Sequence, residues 1–248
     1  MKTLLLDIET TPALVYTWGL FEQTITVDQI VEPTSVLCWA AKWHGSDKIM
    51  WCGSRNGDRS FEVMIQRIHS LLSEADAVCH YNGKSFDIPR LNQEFLKLDM
   101  SPPPPIPQID LKLVINKQFS MLSTKLAFVG PYLEIGEKVK HEGWDLWRGC
   151  IDGNKESWKT MRKYNEQDVV LLERLYEKLL PWIDQHPNLN LMTDEKEPRC
   201  PNCGSTKLHR RGVARATTYE YARFQCQECG RWCRARRSVK RANTVEVR

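Results

Sequence analysis

The sequence predicts an α/β fold, a five-stranded mixed sheet flanked by helices, followed by a small basic module organised by cysteines. Three observations predict it. Segments of strand period and helix period alternate through the first 180 or so residues. Four acidic residues, Asp7, Glu9, Asp87 and Asp168, recur at apolar faces or at the ends of the elements beside them. Two copies of C-x-x-C-G lie near the C-terminus in an arginine-rich setting.

In order, Leu4–Thr10 reads as a strand, with Asp7 and Glu9 on one face and Leu6 and Ile8 on the other. Ser35–Trp43 and Lys48–Cys52 read as two more strands, joined through His44-Gly45-Ser46-Asp47. Phe61, Ile65, Ile68 and Leu72 recur at helical spacing, and Ala77–His80 is a short apolar strand. A helix follows over Asp87–Leu98, with Pro89 tolerated in its first turn. Ser101–Pro107, rich in proline, is a stiff extended loop, and Ile109–Ile115 is the candidate fifth strand. Leu122–Leu133 reads as helical within the limit set by Pro131, and Gly136–Gly153 as the polar, mobile part of the body. A long helix runs from about Glu156 to Leu180, stopped by Pro181. The boundaries that follow are a body over 1–186, a linker over 187–198 and a basic module over 199–248.

At 248 residues and 42% hydrophobic content the chain can bury one sizeable core and carry a small second module. The run Leu4-Leu5-Leu6 meets Asp7 at once, too soon for a secretory signal, and no run approaches a membrane span. These features predict a cytoplasmic protein with no membrane partner, where disulfides do not account for nine cysteines. The net charge of +4 conceals an asymmetry. Residues 196–248 carry 14 Lys or Arg against four acids, a formal +10, while the rest, with 21 against 27, is −6. A basic tail on an acidic body predicts a polyanionic partner or, more simply, a solubilising tail.

Carboxylates gathered on an apolar face repel one another and resist desolvation, and a hard divalent cation is the usual remedy. For Asp7 and Glu9 alone, an ordinary solvated edge strand competes with that reading. Asp168 sharpens it. Met161, Tyr164, Asp168, Leu171 or Leu172, Leu175 and Leu179 follow helical spacing, so Asp168 lies in the packing stripe one turn beyond Tyr164. No lysine or arginine occupies a neighbouring stripe position; otherwise Asp168 sits at the stripe's margin and reaches water. Asp87 closes the segment His80-Tyr81-Asn82-Gly83-Lys84-Ser85-Phe86-Asp87, and in isolation it reads as a helix N-cap. Tyr164 in isolation reads as a packed aromatic.

Together the three segments resemble the proofreading-type 3′–5′ exonucleases of RNase H-like fold, known by their four acids as DEDD. The D-x-E motif is matched by Asp7-Ile8-Glu9, and N-x-x-x-F/Y-D by Asn82 through Asp87. Tyr164, four residues before Asp168, resembles the tyrosine branch; position 163, where the histidine branch has its histidine, is lysine. The resemblance spans about residues 1–182 and implies a metal-dependent nuclease that cuts DNA with two magnesium or manganese ions. It implies that Asp7 bridges both ions, that Glu9 and Asp168 complete the nucleophile-side site, and that Asp87 serves the other ion. Tyr164 would orient the attacking water, since a phenol of pKa about 10 is a poor base at neutral pH. RNA, or branched and internal positions, are rival substrates for the same site, and an idle nucleic-acid-binding adaptor is the non-enzymatic rival. A polymerase does not fit in this length, so any replication or repair partnership is in trans.

Cys200, Cys203, Cys226 and Cys229, with 22 residues between the pairs, form two knuckles able to close a four-cysteine structural zinc site. Tyr219, Tyr221 and Phe224 suit the strands of a zinc ribbon, and the interleaved arginines suit contact with nucleic acid, although a protein partner is open. Cys233 is surplus, and Cys38, Cys52, Cys79 and Cys150 read as ordinary buried cysteines. Lys84, Lys125 and the six histidines receive no role. Trp18, Trp39, Trp43, Trp144, Trp147 and Trp158 are base-stacking candidates better read as core or loop anchors, and Asp110 is a possible support for the site.

Overall fold

The structure, a computed structural model, describes residues 1–54, 60–192, 194 and 197–242. In chain order its elements are strands β1 (Thr3–Thr10), β2 (Leu14–Val15), β3 (Ile30–Glu32), β4 (Val36–Trp43) and β5 (Ile49–Gly53), then helix α1 (Ser60–Glu74). Next come β6 (Ala77–His80), α2 (Asp87–Lys97), β7 (Gln108–Asp110), α3 (Leu111–Gln118), α4 (Leu126–Tyr132), α5 (Trp144–Ile151) and α6 (Lys155–Leu179). Strands β8 (Leu208–Arg215), β9 (Tyr219–Cys226) and β10 (Trp232–Arg241) close the chain. Contacts divide the chain into two compact units, Lys2–Tyr176 and Glu177–Arg248.

The first unit holds a five-stranded sheet in the order β5-β4-β1-β6-β7. β1 lies at its centre, antiparallel to β4 and parallel to β6, which makes the sheet mixed. Alternation along β1 sets the two faces. Leu4, Leu6 and Ile8 join Met64, Ile65 and Ile68 of α1 and Leu91 and Phe95 of α2 in one buried cluster. The opposite face belongs to a second cluster, where Leu37 and Cys38 of β4 meet Leu146 and Cys150 of α5 and Met161 and Tyr164 of α6. Two acids on the second face therefore point toward α6, while their neighbours in sequence anchor the strand from behind.

The candidate fifth strand is shorter than its apolar pattern predicts. β7 stops at Asp110, whose carboxylate accepts hydrogen bonds from the Lys112 and Leu113 backbone N–H groups and starts α3. An N-cap aspartate thus converts the apolar run after it from strand to helix. The segment Leu122–Leu133 is helical only over α4, and Gly136–Gly153 contains the short helix α5. Of the expected linker, residues 193, 195 and 196 lie outside the described residues, as do residues 243–248 of the basic tail. Leu189–Leu191 forms a 3-10 turn whose Leu189 N–H donates to the Pro201 carbonyl at 2.9 Å.

The second unit carries an antiparallel sheet in the order β10-β9-β8. Asn202 ties it to the turn that ends the long helix, its Nδ2 donating to the carbonyls of Leu180 at 2.8 Å and Ile183 at 3.1 Å. Arg231 donates from Nη1 to the Pro181 carbonyl at 3.0 Å. Among the described residues, no helix is long and apolar enough to cross a membrane.

Candidate functional site

Side-chain oxygens of Asp7, Glu9 and Asp168 lie within 4.8 Å of one another. Asp7 and Glu9 come from β1, opposite Ala40 and Cys38 of β4, whose small side chains leave room above the sheet. A register shift between Glu9 and Thr10 ends the regular pairing beside them. Asp168 comes from α6 and is 2% exposed, so it lies within the buried stripe and not at its margin.

Asp87 reaches the same strand from another side. α2 begins at Asp87 with Phe86 as its N-cap, so Asp87 is not the capping residue. Its Oδ1 accepts the Ile8 N–H at 3.1 Å, a donor that lies past the last parallel pair of β1 with β6, Leu5 with Cys79. Its carboxylate is not one of the three gathered within 4.8 Å, but its charge acts on Asp7 and Glu9.

The turn that aims Asp87 is built by Asp110 and His80. Asp110 accepts the Asn82 N–H at 3.0 Å and the Lys84 N–H at 3.2 Å. Gly83 donates its N–H to His80 Nδ1 at 3.1 Å, leaving Nε2 to meet Gln108 Oε1 at 3.2 Å. Burial lowers the His80 pKa, in keeping with a neutral ring that accepts at Nδ1. A Cβ at Gly83 would stand 2.3 Å from His80 Cγ, so this close approach requires glycine. Asp110 supports the site as expected; the role of His80 as a turn buttress escapes its sequence spacing.

Two further polar residues enter without notice from the sequence motifs. Asn165 is fully buried, and its Nδ2 donates to Asp7 Oδ2 at 2.7 Å and to the Asp7 carbonyl at 3.2 Å. Its place between Met161 and Asp168 at helical spacing was the available signal. Lys138, from the glycine-dotted segment, donates to Asp168 Oδ2 at 2.6 Å and to the Tyr164 hydroxyl at 2.9 Å. Its ammonium also stands 4.9 Å from the centre of the Tyr164 ring. The cation absent from the α6 stripe thus arrives from a loop, and nothing local in the sequence marks it.

Electrostatics register the crowding. Burial, then Asp168, Glu9 and Asp87, drive the Asp7 pKa well above the carboxylate range. Burial and Asp168 push Glu9 up to about 8. Burial takes Asp87 to about 7, against the opposing hydrogen bond from Ile8. Burial raises Asp168 as well, with Lys138 pulling it back. Tyr164 is pushed upward by burial, Asp168 and Glu9, which keeps its hydroxyl protonated. Burial works against the Lys138 charge, but Asp168 and Tyr164 outweigh it and hold the ammonium.

The donor set fits divalent cations of magnesium or manganese type, which prefer carboxylate and water oxygens. Asp168 Oδ1 is buried with no hydrogen-bond partner, a lone-pair donor that a cation would satisfy. Ligands of an ion with bonds of about 2.1 Å stand at most about 4.2 Å apart, a spacing that oxygens lying within 4.8 Å of one another reach with at most a small carboxylate rotation.

The four-cysteine cluster is a different kind of centre. Sulfurs of Cys200, Cys203, Cys226 and Cys229 lie within 4.8 Å of one another. Cys200 and Cys229 sulfurs are 3.6 Å apart, and Cys203 and Cys226 sulfurs 3.5 Å. A tetrahedral zinc with bonds of about 2.3 Å spaces its sulfurs about 3.8 Å apart, so the cluster fits one such ion. Gly204 and Gly230 adopt φ of 74° and 79° and donate their N–H groups to the Cys200 and Cys226 carbonyls. That left-handed step turns each chain around the metal position and explains the glycine after each pair. Cys233 is a free, half-buried thiol; Cys38, Cys79 and Cys150 are buried, while Cys52 is partly exposed.

Most of the tryptophans anchor the body: Trp39 is buried with Nε1 donating to the Met64 carbonyl, and Trp43, Trp147 and Trp158 pack against the two clusters. Trp18 and Trp144 are exposed.

Among curated proteins, none matches the sequence. Among solved structures, the chain is similar to the family B DNA polymerase from the hyperthermophilic archaeon Pyrobaculum calidifontis, with TM-score 0.54 and 17% identity. The match covers 73% of this chain and 24% of the polymerase chain, and at that identity it speaks for the fold alone. The RNase H superfamily model matches residues 4–180, the stretch that contains the sheet, the acids and Tyr164. With that match over most of its length, the chain belongs to the RNase H superfamily.

Proposed function

We propose that the protein is a metal-dependent 3′–5′ exonuclease of the tyrosine-branch DEDD type that hydrolyses DNA, with residues 1–186 as the catalytic body. The observation that carries this reading is the buried convergence of Asp7, Glu9 and Asp168, with one Asp168 oxygen left without a partner. Lys138 meets one of the four acids, Asp168, which leaves the crowding of the other carboxyl groups for a divalent cation to relieve. Asp7, Glu9 and Asp168 would hold the ion on the nucleophile side, with Asp7 shared and Asp87 serving a second ion. When bound, the two ions would supply Lewis acidity to the attacking and leaving oxygens of an in-line displacement.

The chain's own residues divide the remaining work. Asn165 fixes Asp7 through one hydrogen bond to its carboxylate and one to its main-chain carbonyl, so the ligand is oriented before any cation arrives. Tyr164, with its hydroxyl held protonated, acts as a hydrogen-bond donor that orients water and not as a base. Lys138 places a positive charge beside Tyr164 and Asp168, where it limits repulsion among the acids. Residues 187–198 serve as linker and residues 199–248 as a zinc ribbon whose basic surface aids binding of nucleic acid. The protein would act in the cytoplasm, with any replication or repair protein as a partner in trans.

The test incubates purified, zinc-loaded protein with end-labelled single-stranded DNA, duplex DNA, branched DNA and RNA. Each is run with magnesium, manganese or no added divalent ion, beside Asp7→Ala. The expected result is a DNA ladder shortening from the 3′ end only when a divalent ion is present, and absent in the variant. Discrete internal products would establish an endonuclease, stronger cutting of RNA a ribonuclease, and no metal-dependent cutting an adaptor.

A further inference from the structure

We infer that one face of the three-stranded sheet is a stacking platform for single-stranded DNA, made of an aromatic and arginine ladder across β9 and β10. This deepens the reading of the ribbon as a nucleic-acid-binding module and rests on it.

Register separates the two faces. Directly paired residues of antiparallel strands share a face, as do alternate residues of one strand. The pairs Leu208–Cys226, Cys233–Phe224 and Val213–Ala222 therefore form the apolar face. Tyr219, Tyr221, Arg223 and Gln225 of β9 lie on the other, with Trp232, Arg234 and Arg241 of β10 and His209 of β8.

On that second face the rings and guanidinium groups interlock across the strands. Arg223 lies 4.8 Å from the Trp232 ring, Arg234 4.3 Å from the Tyr221 ring, and Arg241 5.8 Å from the Tyr219 ring. Tyr219 and Tyr221 stand with ring centroids 6.3 Å apart. Arg223 is oriented further by its Nε donating to the Arg211 carbonyl at 3.0 Å. Trp232 is 44% exposed. Each arginine thus stands within cation–π range of an aromatic ring and brings its charge to the same face.

Charge selects the occupant. Among the described residues of 199–242 the acids are Glu220 and Glu228. Glu220 is engaged by Arg215 at 2.8 Å and Glu228 by Lys207, and Glu220 belongs to the apolar face. The ladder face is therefore basic without an acid of its own, which suits a polyanion. Rings between the arginines suit a strand whose bases are unstacked, since duplex DNA hides its base faces and needs only the charges. The choice of DNA over RNA follows the proposed function, in which the body cuts DNA.

The test uses full-length, zinc-loaded protein without added magnesium or manganese, so that no cutting enters the measurement. Fluorescence anisotropy follows binding to labelled oligo(dT), oligo(rU) and a duplex of the same length, for wild type, Tyr221→Ala/Trp232→Ala and Tyr221→Phe/Trp232→Phe. Zinc content and circular dichroism check that each variant is folded. Loss of two stacks should weaken oligo(dT) binding by about tenfold or more, while duplex binding moves by less than about twofold. The phenylalanine variant should bind oligo(dT) within about threefold of wild type, because a ring suffices for stacking. Equal loss on duplex and single strand, no loss on either, or tighter binding of oligo(rU) than oligo(dT) would overturn the assignment. So would a failure of wild type to bind oligo(dT) at all, the outcome expected of a protein-binding ribbon. Cleavage is scored in separate reactions, so a failed nuclease reading and a failed platform give distinct results.

Discussion

The carboxylate site and the cysteine cluster are both groups of side chains that could hold a cation, yet they are built in opposite ways. The first gathers Asp7, Glu9, Asp87 and Asp168 from β1, α2 and α6, elements already fixed by two apolar clusters. Lys138, Asn165 and the Ile8 N–H each hold one of its carboxylates in place. The second gathers Cys200, Cys203, Cys226 and Cys229 from two short local knuckles, and its own buried apolar side chains are few. In one region the fold would create the metal site; in the other the metal would create the fold.

The largest expected effect follows from that contrast. Cys226→Ser, or removal of zinc, should expose the β8–β10 amides to hydrogen exchange by ~10³-fold or more, since zinc binding free energy is the ribbon's folding free energy. Amides of β1 should keep their protection in the same sample. Retained protection throughout β9 would show that the ribbon folds without its ion.

Next in size is the response to Asp7→Asn. Hydrolysis should fall by ~10³-fold or more, because a shared ligand is lost from the reacting centre. The melting temperature of the cation-free protein should rise, because burial and neighbouring acids oppose the Asp7 charge. A variant both inactive and strongly destabilised would mean that Asp7 holds the fold and not the cation.

Smaller losses should mark residues that act through others. Asn165→Ala should cost roughly tenfold to hundredfold in activity with a weakened apparent affinity for manganese, the signature of a positioning residue behind a ligand. Unchanged manganese affinity would assign Asn165 to packing alone.

How much of this was legible depends on the range of the interaction. The alternation of Leu6, Asp7, Ile8 and Glu9 and the stripe of Met161, Tyr164 and Asp168 are local periods, and the structure keeps both. Lys138 reaches Asp168 from 30 residues away through a segment with no period of its own, so only the folded chain shows it. The run Ile109–Ile115 reads as a strand from its apolar pattern, and the Asp110 cap makes it helical from Leu111. Helix α5 was hidden between glycines, because its Leu146 and Cys150 span too few turns to declare a face. The ribbon's ladder depends on register shifts in β10, which no spacing in the sequence reveals.

The smallest expected effect is on pH. Glu9 at about 8 and Asp87 at about 7 bind protons that the unfolded chain has released near the ordinary glutamate and aspartate values of 4.5 and 3.8. The folded, cation-free state then binds more protons, so stability is greatest at low pH and falls as pH rises from about 4 to about 8. Melting of the zinc-loaded protein should drop by a few degrees between about pH 5.5 and 8.5, and manganese should recover more at the higher pH. A manganese shift equal at both values would remove the carboxylates as its cause.

The most direct measurement is anomalous diffraction from crystals of the zinc-loaded protein soaked in manganese, recorded on both sides of the manganese edge. The expected result is manganese density enclosed by the carboxylates of Asp7, Glu9 and Asp168, with Asp168 Oδ1 among its ligands. Crystals saturated with manganese that show density elsewhere and none among these oxygens would contradict it.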